Sequence, residues 1–247
     1  MPKFCANLTM LFTELPFLER FGAAKAAGFD AVEVLFPYDT AVPDMLGELA
    51  RHGLPLALIN CPPPNYTGGD RGFAAVAGSR FQQDFKRSLR YAKAMGAQHL
   101  HIMAGEAEGD AARACFVENL RWAAALAPGQ SLTIEPINRD DMPGYFLADF
   151  DLACEIIRDI DAPNLRLQFD AYHAQKITGD VPGTWAKCRD LVSHVQVGQC
   201  PQRSEPSAGE IDYPAFFSAL DRDGYRGWVS GEYRPAGRTQ DGLDWLT

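Results

Sequence analysis

The sequence predicts an α/β protein, a closed (β/α)8 TIM barrel in which residues 1–247 form one domain. Three observations predict it. Strand-like apolar runs alternate with helical patterns through eight successive units. The 247 residues divide into about 31 per unit, close to the roughly 250 that such barrels take. The turn after the first strand, Asn7-Leu8-Thr9-Met10, lacks the glycine-rich phosphate loop that normally opens a doubly wound sheet.

The units follow in order. Residues 4–8 form the first strand, and 16–27 a helix with Phe17, Leu18, Phe21 and Ala24 on one face and Gly28 to stop it. Residues 31–35 are apolar and β-branched apart from Glu33, and 42–52 is a helix ended by Gly53. Strand 54–60 leads into a Pro- and Gly-rich loop, 61–72, too long for a mere connector. Helix 74–95 ends at Gly96. The remaining units pair strand 98–103 with helix 110–127, 131–135 with 149–160, 165–170 with a weaker helix near 184–188, 191–197 with 213–221, and 227–232 with a short helix at 240–246.

Composition narrows the function classes. A formal charge of -9 opposes a nucleic-acid or anionic-membrane surface, since either needs clustered Lys and Arg, and favours a small molecule or a cation as partner. Six cysteines, Cys5, Cys61, Cys115, Cys154, Cys188 and Cys200, are scattered without a CxxC pair, so reduced thiols are expected rather than a zinc site or a disulfide framework. With no signal-peptide pattern and no run of eighteen apolar residues, a cytoplasmic location is expected. The loops at 61–72 and 201–207 are candidates for lids or for subunit contacts in a homo-oligomer.

Active sites of such barrels lie where the C-terminal ends of the strands converge. The fifth strand ends in Glu135, the sixth in Asp170 and the eighth in Glu232, and the seventh carries Gln196 near its end. Each alone reads equally well as a strand-end residue satisfied by a helix N-terminus or an arginine. Together they place four oxygen-bearing side chains over one patch. Three adjacent carboxylates raise one another's pKa unless a cation relieves them, and oxygen-only ligands suit Mg²⁺ or Mn²⁺ better than zinc. His173, three residues past Asp170, stands at the mouth, where an imidazole can hydrogen-bond a substrate hydroxyl or carbonyl or simply face water. His99 and His101 share one face of the fourth strand and read as interior or lid-facing, and His194 lies deeper than Gln196 on the same side. Arg203 and Glu205 follow the seventh strand, where a guanidinium can clamp a carboxylate substrate or serve as a solvated loop charge. Phe36, Tyr66 and Trp228 are candidates to roof the mouth, against the commoner fate of core packing.

At these residues the chain resembles the hydroxypyruvate isomerase family, which includes 2-oxo-tetronate isomerases and belongs to the xylose isomerase-like barrels. The resemblance rests on Glu135-Pro136-Ile137-Asn138, Asp170-Ala171-Tyr172-His173, His194-Val195-Gln196, Glu205-Pro206 with Gly209-Glu210-Ile211, and Gly231-Glu232-Tyr233-Arg234-Pro235, and runs over nearly the whole chain. It implies aldose-ketose isomerisation of a small hydroxy-oxo acid through a cis-enediolate. Glu135 and Glu232 would be the acid/base pair, and Glu135, Asp170, Gln196 and Glu232 the divalent metal ligands. His173, Arg203 and Glu205 would contact the substrate. The loop 198–208 departs from the family pattern at Gln199, Gln202 and Ser207, which bears on substrate identity more than on reaction type. The alternatives are a metal-dependent ketose 3-epimerase, which would favour a neutral polyol, and a catalytically silent sugar-acid binding barrel. Apurinic endonucleases, a third kind of barrel relative, need several histidine ligands and a basic face.

Overall fold

Apolar strands separated by amphipathic helices give eight parallel strands in a computed structural model that describes residues 2–61 and 71–246. They are β1 (Lys3–Asn7), β2 (Ala31–Glu33), β3 (Leu58–Asn60), β4 (His99–His101), β5 (Ser131–Ile134), β6 (Leu165–Asp170), β7 (Val192–Val197) and β8 (Trp228–Gly231). Their order is β2-β1-β8-β7-β6-β5-β4-β3. The two ends of that sheet meet: Val32 bridges to Leu56, the Ala57 amide donates to Val32 O at 2.7 Å and the Val34 amide to Leu58 O at 3.1 Å. The barrel is therefore closed, as the eightfold alternation predicts.

Among the described residues, eight α-helices cover its outside: α1 (Glu19–Ala26), α2 (Val42–His52), α3 (Arg80–Met95), α4 (Gly109–Leu126), α5 (Phe150–Ile160), α6 (Ala171–Thr178), α7 (Val181–Cys188) and α8 (Tyr213–Arg222). Gly53 and Gly96, at φ 61° and 66°, take the left-handed conformation that ends α2 and α3. Asp149, Asp180 and Asp212 cap α5, α7 and α8 by accepting from Leu152, Gly183 and Ala215 amides. Helix α3 starts six residues later than its pattern predicts. The sixth unit differs more, because α6 and α7 stand where only one weak helix is expected. Its four consecutive buried residues, Ala171 to Ala174, leave no one-sided periodicity to find. The C-terminal helix is two short 3₁₀ turns, Thr239–Gly242 and Asp244–Leu246.

Between sheet and helices lie large apolar side chains such as Phe21, Phe85, Phe116 and Phe169, all buried. Inside the barrel the layers are different. Cys5, Ala31 and Ala57 pack with Trp228 toward the N-terminal end, and above them Asn7, Glu33, His101, Thr133, Gln168, His194 and Gln196 make a buried polar layer. Trp228 therefore does not roof the mouth. It opens β8 opposite Lys3, and its indole N–H donates to Gln98 Oε1 at 2.7 Å, at the far end from the strand termini. Phe36 is half-buried just after β2, and Tyr66, with most of the loop 61–72, lies outside the described residues. Five of the six free cysteines are buried. Among the described residues no helix is long and apolar enough to cross a membrane.

Candidate active site

The side chains that alternate inward along each strand rise in steps to the mouth. Glu135 and Glu232 each stand one residue past β5 and β8, Asp170 ends β6, and Gln196 is next to last in β7. A register shift after Leu167 sets Gln168 beside His194 and Asp170 beside Gln196. All four predicted ligands meet there. Arg203 Nη2 donates to Asp170 Oδ2 at 2.8 Å and to Glu232 Oε1 at 2.9 Å. Gln168 Nε2 donates to Glu135 Oε2 at 3.1 Å and to Gln196 Oε1 at 2.7 Å, and Thr133 Oγ1 donates to Gln168 Oε1 at 3.0 Å.

Burial governs the electrostatics. It pushes the Glu135 carboxyl well above its ordinary value, and the neighbouring Glu232 and Asp170 charges add to the rise. Burial likewise lifts Glu232, to about 8, with Arg203 opposing and Asp170 adding. Asp170 is raised by burial too, although Arg203 and the amides of Tyr172 and His173 hold it back. Burial works against the Arg203 charge, but the carboxylates around it outweigh this and hold its pKa above the ordinary value. Arg203 itself sits at φ 55° with its guanidinium 4.9 Å from the Tyr172 ring.

Two histidines flank Glu135. His173 Nδ1 accepts from the Asn138 side-chain amide at 2.7 Å and from the Asn138 backbone amide at 3.3 Å. Its Nε2 then stands 3.6 Å from Asp170 Oδ2 and 4.0 Å from Glu135 Oε1. On the other side His101 Nε2 is 3.6 Å from Glu135 Oε2, while its Nδ1 is 3.1 Å from Asn60 Oδ1. Burial lowers both pKa values, His101 to about 3.

Not every predicted residue joins this group. Glu205 turns to the C-terminal segment, where its Oε1 accepts from the Ala236 amide at 2.7 Å. Gln199, one of the departures from the family loop, is the staple of that loop. Its amide nitrogen donates to Ser207 O and Ile211 O, and its oxygen accepts from the Cys200 and Ile211 amides.

Four residues of the site fall outside the set expected from the sequence: Glu33, Gln168, Asn138 and His101. Glu33 accepts from Asn7 Nδ2 at 2.8 Å, Gln196 Nε2 at 2.9 Å and His194 Nε2 at 2.6 Å. It ends the second strand, so the signal that finds Glu135 would have found it too. Gln168 lies two residues before Asp170 and shares its inward face.

The donor set fits a hard divalent cation. Ligand atoms of Glu135, Asp170 and His173 lie within 4.8 Å of one another. Glu33 must accept from Gln196 Nε2, so the amide turns Oε1 away from Glu33, to where Gln168 Nε2, which also donates to Glu135, donates to it. With Nδ1 of His173 accepting, its Nε2 carries the proton and donates, which leaves a site of oxygens from Glu135, Asp170, Gln196 and Glu232.

The chain is similar over nearly its whole length to known proteins. The model of the xylose isomerase-like TIM barrel family matches residues 21–247. The 2-oxo-tetronate isomerase of Cupriavidus necator is 44% identical over 254 residues, covering 100% of this chain and 98% of the relative. The hydroxypyruvate isomerase of Escherichia coli is 37% identical over 254 residues with the same coverage. Among solved structures, a Brucella melitensis protein described as an AP endonuclease of family 2 is 44% identical with a TM-score of 0.95, covering 100% of this chain and 98% of that one.

Proposed function

This chain belongs to the xylose isomerase-like TIM barrel family, in its hydroxypyruvate isomerase branch, and is an isomerase; from that premise we propose that it interconverts a small hydroxy-oxo acid and its isomer through a cis-enediolate. The reaction class is hydroxypyruvate to tartronate semialdehyde, or 2-oxo-tetronate to 3-oxo-tetronate. The observation that carries this reading is the pair Glu135 and Glu232, two buried carboxyl groups at the ends of β5 and β8 gathered about Asp170, which His173 approaches beside Glu135 and Arg203 joins to Glu232; burial holds both above their ordinary pKa. Carboxyls so raised exchange protons with carbon near neutrality far better than ordinary ones.

One glutamate removes the proton from the carbon beside the carbonyl, the other delivers a proton to the former carbonyl carbon, and the hydroxyl proton passes to the former carbonyl oxygen, so that the hydroxyl oxygen becomes the new carbonyl oxygen. His173 donates its Nε2 hydrogen to the carbonyl oxygen. Arg203 Nε and Nη2 are engaged by Glu232 and Asp170, whereas Nη1 donates to none of the described residues and is left for the substrate carboxylate. A divalent cation, Mg²⁺ or Mn²⁺, held by Glu135, Asp170, Gln196 and Glu232, would supply Lewis-acid polarisation of the substrate oxygens. Gln168 keeps Glu135 and Gln196 oriented throughout. A charge of -9 opposes a nucleic-acid substrate, and with it the endonuclease activity that the Brucella melitensis protein's description names. The reading includes a reducing compartment such as the cytoplasm, in keeping with six scattered cysteines that form no CxxC pair.

Proton NMR in D₂O, with Mg²⁺ or Mn²⁺ and separately hydroxypyruvate, 2-oxo-tetronate or fructose, tests the proposal. New isomer signals, or deuterium at the carbon beside the carbonyl of an oxo acid, are expected. Turnover of fructose alone would replace the reading with ketose epimerisation, and silence on all three would leave a binding protein.

A further inference from the structure

The two histidines beside Glu135 are held in opposite tautomers. A backbone amide and a side-chain amide donate to His173 Nδ1, so that ring carries its hydrogen on Nε2 and is a donor toward the acids. Asn60 Oδ1 can only accept, so His101 carries its hydrogen on Nδ1, and its Nε2 is a bare lone pair. That lone pair is buried, has no hydrogen-bond partner among the described residues, and lies 3.6 Å from Glu135 Oε2. Glu135 Oε2 already accepts from Gln168 Nε2, so of the two facing atoms it is the His101 nitrogen that lacks a donor. A buried acceptor without a donor costs about 1–3 kcal/mol, so the arrangement is complete only when something brings a hydrogen there.

We propose that His101 Nε2 accepts the hydrogen bond of the substrate hydroxyl that neighbours the carbonyl, making His101 a specificity-determining residue for α-hydroxy-oxo acids. The inference rests on the isomerase reading above. An α-hydroxy ketone offers one acceptor, the carbonyl oxygen, and one donor, the adjacent hydroxyl. The protein offers the complement, a donor on His173 and an acceptor on His101, on opposite sides of Glu135, one of the two glutamates of the proton shuttle. A substrate lacking the hydroxyl would leave His101 Nε2 unpaired and bind less well. A substrate docked the other way round would set donor against donor.

Two measurements test this on the whole protein. In ¹⁵N-labelled enzyme, the ring nitrogens of His101 should show hydrogen on Nδ1 and a bare Nε2, with His173 reversed; hydrogen on Nε2 of His101 would overturn the proposal. Dissociation constants for hydroxypyruvate and for pyruvate, which lacks the hydroxyl, should differ by about tenfold or more in the wild-type protein, the worth of one buried hydrogen bond. His101→Leu should remove that preference while leaving pyruvate binding unchanged. Equal weakening of both ligands, or a preference that survives, would show His101 to be structural and overturn it. If the leucine variant does not fold, His101→Phe reads the same ratio. A wild-type protein that turns over the oxo acid beside a His101→Leu variant with intact preference sinks this inference alone. A wild-type protein that neither binds nor exchanges hydroxypyruvate or 2-oxo-tetronate sinks the isomerase reading and this inference together.

Discussion

The barrel holds buried carboxylates in two settings, and they are treated differently. Deep in the interior, Glu33 accepts from Asn7, His194 and Gln196, so both its oxygens are satisfied. At the mouth, Glu135 receives one hydrogen bond from Gln168, and Glu232 shares Arg203 through one oxygen while Oε2 is buried with no partner among the described residues. Burial is nearly the same, at 0% exposure for Glu33 against 5% and 7%. The difference is satisfaction. A fully bonded carboxylate is part of the scaffold, whereas buried polar atoms left unpaired mark where a ligand belongs.

The contrast can be broken by mutation. Glu135→Gln and Glu232→Gln should each lower turnover by about 10²–10⁴-fold, the usual worth of a positioned acid or base. Their melting temperatures should hold or rise, because like-charge repulsion is relieved; near wild-type deuterium incorporation by both variants would remove the acid/base assignment. Glu33→Leu should do the reverse to the scaffold. It strands three buried donors, at a cost of about 3–5 kcal/mol. At about 2–4 °C per kcal/mol for a chain of this size, calorimetry should find the melting point lower by roughly 6–20 °C. A small change would mean the deep network is not structural.

Titration sharpens the same comparison. Glu232 is raised from its ordinary 4.5 to about 8, so between those values the folded protein binds a proton that the unfolded chain has released. Its contribution is therefore fully present below about pH 4.5 and is lost as pH rises through about 8. Melting curves of chelator-treated protein should fall across that window and flatten in Glu232→Gln. The smallest effect expected is at the loop. Gln199→Ala removes the staple that orders residues 199–211, costing about 1–3 kcal/mol, and by loosening the backbone that carries Arg203 it should raise KM with little change in kcat. Steady-state kinetics separates the two.

Much of this was legible in the chain. Helix Val42–His52 and strand Leu165–Asp170 appear with the boundaries their patterns predict, because each has a strong period and a clear stop. Glu135, Asp170, Gln196 and Glu232 were readable because a strand end is a local feature. Trp228 was misplaced for the complementary reason: it begins its strand, and an aromatic at the start of a strand faces the opposite end of the barrel. His101, Asn60, Gln168 and Asn138 were hidden because their meaning lies in partners 33 to 41 residues away.

By itself the sequence determined the eightfold alternation, the closed barrel it builds, and the four oxygen donors at the strand ends, since periodicity and strand termini are properties of neighbouring residues. Tertiary structure alone decided how those donors meet. The register shift between Leu167 and Gln168 skips one residue of β7, so Asp170 pairs with inward-facing Gln196; without it Asp170 would stand beside Val195, whose side chain faces the helices. Which nitrogen of His101 or His173 carries the proton is decided in the same way, by an asparagine on another strand or loop that only the closed barrel brings within reach.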